Sequence, residues 1–176
     1  MKLIEKTISS QILHKGKVVN LRVDSVELPN GKIASREVVE HSGAVAVVPI
    51  TDAGEVLLVR QYRHPLKEVI LEIPAGKLDA GERPEQCVKR ELLEETGMEA
   101  DDIKLMFSTY SSPGFCDEIL HLYIARKMTY RGQKLDEDEF VKVEKYPLDE
   151  AIKMIYKGEI KDCKSIAGLL SAKQFF

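Results

Sequence analysis

The chain has 176 residues, 44% apolar and 31% charged, with a net charge of −3. That length fits one domain, and the mix of apolar and charged residues excludes a disordered or fibrous protein. The slight negative charge argues against general nucleic-acid binding, which needs clustered cations, and no apolar run approaches the roughly 18 residues of a membrane span.

The first residues, Met1-Lys2-Leu3-Ile4-Glu5-Lys6, lack the apolar stretch of a secretion signal, so a cytoplasmic location is expected. Residues 1–40 read as a small β unit: Val19, Leu21 and Val23 alternate, Val26 and Leu28 follow, and Pro29-Asn30-Gly31 is a turn before Ile33. Gly43 to Ile50 is a continuous apolar run, as expected of a strand buried on both faces. Asp52-Ala53-Gly54 turns the chain into a second strand, Val56 to Arg63, and Val69 to Pro74 leads into a glycine-containing turn. A helix is predicted from about Pro84, whose missing N–H suits a first turn, to Gly97, which accepts a left-handed cap. Further strands are predicted at Ile103–Tyr110, Ile119–Ala125 and Phe140–Tyr146, and helices at about Leu148–Tyr156 and Lys161–Lys173. Strands interrupted by one helix and closed by two more indicate an α/β or α+β fold with a mixed sheet between helical layers. The three cysteines, Cys87, Cys116 and Cys163, lack metal-binding spacing and read as reduced thiols.

The predicted central helix is the most informative segment. Glu91, Glu94 and Glu95 fall within five positions, with Glu82 just before the helix. At about 3.6 residues per turn, Glu91 and Glu95 lie on one face, one turn apart. Two carboxylates so placed repel each other unless a cation stands between them. An oxygen-rich anionic pocket suits a hard divalent ion such as Mg²⁺ or Mn²⁺ better than zinc. Val88 and Leu92 would bury the opposite face, and Arg90 can pair with Glu94 at i, i+4.

Gly76, Glu82, Arg90, Glu91, Leu92, Glu94, Glu95, Gly97 and Met98 also fill, at the required spacing, every defined position of the Nudix hydrolase signature. The chain therefore resembles that family, which implies an α/β/α sandwich with a mixed sheet and hydrolysis of a nucleoside diphosphate linked to another group. A bland reading, a solvated acidic helix, leaves the full spacing unaccounted for. Residues outside the signature narrow the branch. Pro113 stands sixteen positions after Gly97, within Ser111-Ser112-Pro113-Gly114. Together with Arg60-Gln61-Tyr62-Arg63, Leu71-Glu72-Ile73-Pro74-Ala75-Gly76 and Asp136-Glu137-Asp138-Glu139-Phe140, it resembles the ADP-ribose pyrophosphatase branch over residues 36–140. Taken singly, Ser-Pro-Gly is an ordinary turn and the acidic run a solvated loop; Cys116 departs from the serine common in relatives.

The resemblance implies roles residue by residue. Glu91, Glu95 and the backbone carbonyl of Ala75 would hold the metal, Mg²⁺ in the first instance with Mn²⁺ as the alternative. Glu94 would assist as a ligand through water or by orienting its neighbours, Glu82 would support the loop-to-helix geometry or an outer metal, and Arg90 would hold a carboxylate. The general base would come from an acidic loop beyond the signature, Glu137 or Glu139, with one taking the proton and the other touching a metal. Arg63, with Arg60 behind it, would meet phosphate or ribose. Arg36 and Glu37 resemble residues that relatives lend across a dimer interface, so residues 1–40 would serve dimerisation and residues 41–176 would form the hydrolase domain. The implied substrate is ADP-ribose, split to AMP and ribose 5-phosphate by a homodimer. Nucleoside diphosphate sugars, dinucleoside polyphosphates and flavin adenine dinucleotide are the alternatives, with a non-catalytic ADP-ribose sensor the remote one. Adenine would need an apolar platform, and Tyr62 and Phe115 are among the candidates.

Overall fold

The computed structural model describes residues 3–135, 137 and 139–175. They form two compact units, one of residues up to Gly43 together with Tyr110–Ile119, the other of Ala44–Thr109 together with the residues from Leu120 onward.

The first unit is built on a three-stranded antiparallel sheet of β1 (Lys6–Lys15), β2 (Asn20–Glu27) and β3 (Ile33–Glu40), in that order. Asn30-Gly31 makes the turn between β2 and β3, with Gly31 at φ 79°, a conformation that costs glycine little. Strand β1 has no counterpart in the pattern reading. All ten of its residues are exposed, so it carries no alternation of buried and exposed positions for periodicity to reveal.

The second unit is organised around β4 (Ala44–Pro49), every residue of which is buried. It lies in a four-stranded sheet ordered β7 (Ala75–Lys77), β4, β9 (Ile119–Tyr130), β8 (Met98–Tyr110). β4 is antiparallel to β7 and parallel to β9, so the sheet is mixed. The second sheet of this unit places β5 (Glu55–Arg63) between β10 (Lys142–Pro147) and β6 (Glu68–Glu72), antiparallel to both.

The uninterrupted apolar run of β4 has a direct cause: each face meets a different helical layer. Val45 and Val47 pack with Cys87, Val88 and Leu92 of α1 (Pro84–Thr96). Ala44, Ala46 and Val48 pack in the larger core with Ala151, Ile152 and Met154 of α2 (Leu148–Tyr156) and Leu169 and Ala172 of α3 (Cys163–Ala172). In α3 a Cβ on Gly168 would stand 3.0 Å from the Val48 side chain and 3.1 Å from that of Ile73, so the helix rides close on the sheet. Helices on both faces of a mixed sheet give the α/β/α layering expected from the sequence. The predicted boundaries differ by a few residues. β8 begins at Met98, directly after the helix cap, and α3 begins at Cys163 because the Asp162 side chain accepts from the Ser165 N–H at 2.9 Å and caps it.

Candidate active site

The site is assembled by β7, the turn after it, and α1. Gly97 closes α1 in the left-handed conformation at φ 73°, its N–H donating to the Leu93 carbonyl at 2.8 Å. At the other end Pro84 occupies the first turn and Gln86 Oε1 accepts from the Arg83 N–H at 3.3 Å. Val88 and Leu92, fully buried, anchor one face of the helix. That anchoring turns Glu91 and Glu95 toward β7.

Glu91 lies directly over Gly76. A Cβ built at position 76 would stand 1.9 Å from the Glu91 carboxyl carbon, so the missing side chain of Gly76 is the space the carboxylate fills. Glu95 accepts a hydrogen bond from the Ala75 N–H at 3.0 Å. Both carboxylates are almost fully buried. Burial raises the affinity of Glu91 for its proton, against the opposing charge of Arg90. Glu95 is pushed up to about 8, chiefly by burial, with the Ala75 N–H opposing and the charges of Glu91 and Glu139 adding.

Arg90 ties the acidic cluster together. Its Nε and one NH2 nitrogen grip Glu82 at 3.0 and 2.9 Å, while NH1 reaches Glu91 at 2.6 Å and Glu94 at 3.0 Å. A planar guanidinium can serve three carboxylates in this way; an ammonium cannot. Glu82 also accepts from the Asp79 N–H at 3.1 Å, bracing the turn before the helix, and its hydrogen bond with Arg90 holds it down to about 2. Part of the repulsion expected between neighbouring glutamates is thus offset by the protein's own arginine.

Glu137 and Glu139 are both exposed on the segment before β10. The charge of Glu139 adds to the raised proton affinity of Glu91 and of Glu95. Asp136 and Asp138 of the same acidic run lie outside the described residues.

The basic residues singled out in the sequence each have an acidic partner. Arg63 donates from Nε and NH2 to Glu72 at 2.8 and 2.7 Å. Arg60 makes the same two-pronged contact with Glu144 at 3.0 and 2.9 Å, and the Tyr146 hydroxyl donates to Glu144 at 2.7 Å. Arg36, in the first unit, donates to Glu5 at 2.9 and 2.5 Å. Arg36 and Glu37 line a cleft of about 520 Å³ together with Tyr110, Pro113, Phe115 and Asp117, so β3 and the Ser-Pro-Gly segment face one space within the first unit. No role is assigned from the sequence to Glu5, Glu72 or Glu144; of the three, Glu72 carries a signal, an acid inside the apolar run Val69 to Pro74 and within the stretch Leu71 to Gly76.

As a cation site, Glu91, Glu95 and the neighbouring backbone of Ala75 offer oxygen donors, the kind a hard divalent ion prefers. Among the described residues no three His, Cys, Asp or Glu side chains form a closed cage. Glu91 and Glu95 supply two buried carboxylates on one side, which fits a metal that keeps part of its shell for water and substrate and displaces their protons on binding.

Comparison with known proteins identifies the family and the fold. Residues 40–167 match the NUDIX domain, and residues 5–39 match the nucleoside diphosphate sugar hydrolase N-terminal domain. An ADP-ribose pyrophosphatase of Bacillus subtilis (strain 168) is 48% identical over 165 residues, 93% of this chain and 89% of that protein. A methanol dehydrogenase activator of Bacillus methanolicus is 48% identical over 164 residues, 92% of this chain and 89% of that protein. The crystal structure of an ADP compounds hydrolase superimposes with a TM-score of 0.86 over 97% of this chain and 93% of that one, at 20% identity, which shows the shared fold. With the signature intact and the domain matched over most of its length, the chain belongs to the Nudix family of hydrolases, whose members use divalent metal ions.

Proposed function

We propose that this Nudix hydrolase cleaves the diphosphate of ADP-ribose to AMP and ribose 5-phosphate, with Mg²⁺ as its metal. The observation that carries the hydrolytic reading is the seating of Glu91 on Gly76 beside Glu95, two buried carboxylates brought to one place by one turn of α1. The choice of ADP-ribose is supported by the 48% identity to a protein named for that activity.

The divalent ion, when bound, neutralises charge on the diphosphate oxygens and makes a bound water more acidic. Glu91, Glu95 and the Ala75 carbonyl hold it in this reading, with Glu94 orienting the cluster through Arg90. One of Glu137 and Glu139 accepts the proton of the attacking water, and Glu139, whose charge already acts on Glu91 and Glu95, is the better placed. The water oxygen bonds one phosphorus while the bridging oxygen leaves with the other phosphate. Arg63 and Arg60 supply positive field toward the substrate, and Arg36 and Glu37, lent across the proposed dimer, meet its remainder.

A homodimer is part of the proposal. Strand β1 is an exposed edge bearing Ile8, Ile12 and Leu13, each more than half exposed, and such an edge invites a second chain. No helix among the described residues is long and apolar enough to cross a membrane, in keeping with a proposed cytoplasmic location.

The test is a substrate panel under saturating Mg²⁺, with product identification. The highest kcat/KM on ADP-ribose, with AMP and ribose 5-phosphate released and activity lost on chelation, is expected. A higher value on a nucleoside diphosphate sugar would overturn the choice of substrate. That second reading is favoured by the description of the domain matched by residues 5–39.

A further inference from the structure

Glu72 ends β6 three residues before Ala75 and is 1% exposed, yet it stays ionised. Burial opposes its charge, but hydrogen bonds and charge from Arg63 and Lys164 outweigh burial and hold it below the ordinary carboxylate range. Arg63 grips it with two prongs, and Lys164 Nζ donates to Glu72 Oε2 at 2.7 Å. Lys164 comes from the first turn of α3, far away in sequence.

The contacts continue along α3. Lys164 Nζ also stands 3.0 Å from Asp162 Oδ2. The same oxygen accepts from the Ser165 N–H at 2.9 Å and from its hydroxyl at 2.5 Å. Ser165 Oγ in turn accepts from the Ile73 N–H at 2.8 Å, two residues before Ala75. The start of α3 is thus fastened to the segment leading into β7 and, through Glu72, to Arg63.

The charge balance gives this network a consequence. If Arg63 alone faced Glu72, the two would form a neutral pair, and the buried carboxylate would claim the whole guanidinium. Lys164 stands between Glu72 and Asp162, so two cations balance two carboxylates; without Lys164 the carboxylates would outweigh Arg63 by one charge. The charges of Glu95 and Asp162 also act on Arg63, so loss of Lys164 would leave Arg63 among uncompensated carboxylates.

We infer that Lys164 is a positioning residue of the hydrolase site, sharing the buried Glu72 carboxylate so that Arg63 is held in place without a surplus of negative charge facing the substrate diphosphate. This rests on the proposed reading that Arg63 serves an anionic diphosphate.

The test compares Lys164→Met, Lys164→Gln and Lys164→Arg with the unaltered protein in steady-state hydrolysis of ADP-ribose, each also in an Arg63→Gln background. Lys164→Met and Lys164→Gln are expected to raise KM about tenfold while changing kcat less than about threefold. Lys164→Arg should recover most of the loss, because a guanidinium can still reach Glu72. In the Arg63→Gln background the same substitutions should leave KM nearly unchanged. An unaltered KM in the charge-removing variants, or an equal rise with and without Arg63, overturns the inference. If Lys164→Met fails to fold, Lys164→Gln, which keeps a hydrogen-bond donor, carries the comparison. Should the unaltered protein ignore ADP-ribose, the substrate reading fails by itself, and the same KM series on the best substrate of the panel decides the role of Lys164.

Discussion

Gly76 and Glu91 compete for one volume: a methyl group on residue 76 would lie 1.9 Å from the carboxyl carbon of Glu91. The backbone of β7 is paired to β4 on one side and cannot retreat freely, since Val45 and Gly76 are register partners in that ladder. Gly76→Ala should therefore displace Glu91 rather than the strand. Overpacking of this kind costs about 1–3 kcal/mol, so the variant should fold with a lowered Tm. Its kcat/KM should fall by about 10²-fold, because displacement of about 1 Å at a catalytic constellation has that effect. Near-native activity with an unchanged Tm would show that Glu91 does not need this seat.

The raised proton affinity of Glu95 makes a prediction about stability. In the folded, metal-free chain the group holds its proton up to about 8, against an ordinary value of 4.5. Between those values the folded state carries more protons than the unfolded one, so stability is highest at the acid end and falls as pH rises. A tenfold difference in proton affinity between the two states corresponds to roughly 1.4 kcal/mol, and a change of that order moves the Tm of a chain this long by about 2–4 °C per kcal/mol. Glu95→Gln should accordingly be inactive, should melt several degrees above the metal-free parent near pH 8, and should show a shallower decline with pH. Mg²⁺ should raise the Tm of the parent more than that of the variant. Parallel melting curves across pH, with and without metal, would refute the assignment.

How legible these features are in the sequence depends on whether they are local. The run Gly43 to Ile50 announces a doubly buried strand because both faces of β4 meet helices. The spacing from Gly76 to Met98 carries the glycine, the arginine fork and both buried carboxylates, since all of them sit on one turn and one helix. Strand β1 is not visible, because an all-exposed strand has no period. The partners of the basic residues are not visible either. Arg60 meets Glu144 from 84 residues away, and Lys164 meets Glu72 from 92 residues away. No local pattern encodes such pairings. Those long-range contacts change what the arginines can do, from free surface charges to held ones.

Arg90 offers a sharper distinction than most surface arginines. It contacts Glu82, Glu91 and Glu94 at once, and Glu82 is held down to about 2 through their hydrogen bond. Arg90→Lys preserves charge but loses the fork. Activity should drop by about 10–100-fold, the usual consequence of removing a group that orients metal-binding side chains. The stability that Glu82 contributes is present above its ordinary value of 4.5 and is lost as pH falls through about 2. Parent and variant should hence differ most in Tm near neutral pH and converge under strong acid. A variant with full activity would reduce Arg90 to a solvated charge.

The two candidate bases separate by their effect on the buried pair. Negative charge on Glu139 raises the proton affinity of both Glu91 and Glu95. Removing that charge in Glu139→Gln should let Glu95 ionise at lower pH, so the acid limb of the kcat/KM profile should move toward acid. If Glu139 also takes the proton of the attacking water, kcat should fall by about 10²–10⁴-fold, the range for loss of a general base. Glu137→Gln should leave the acid limb in place and cost less than about tenfold. The pH profile matters more than the rate here, since either carboxylate could slow turnover by loosening the segment before β10. A shift of the acid limb in Glu137→Gln, with none in Glu139→Gln, would exchange the roles of the two residues.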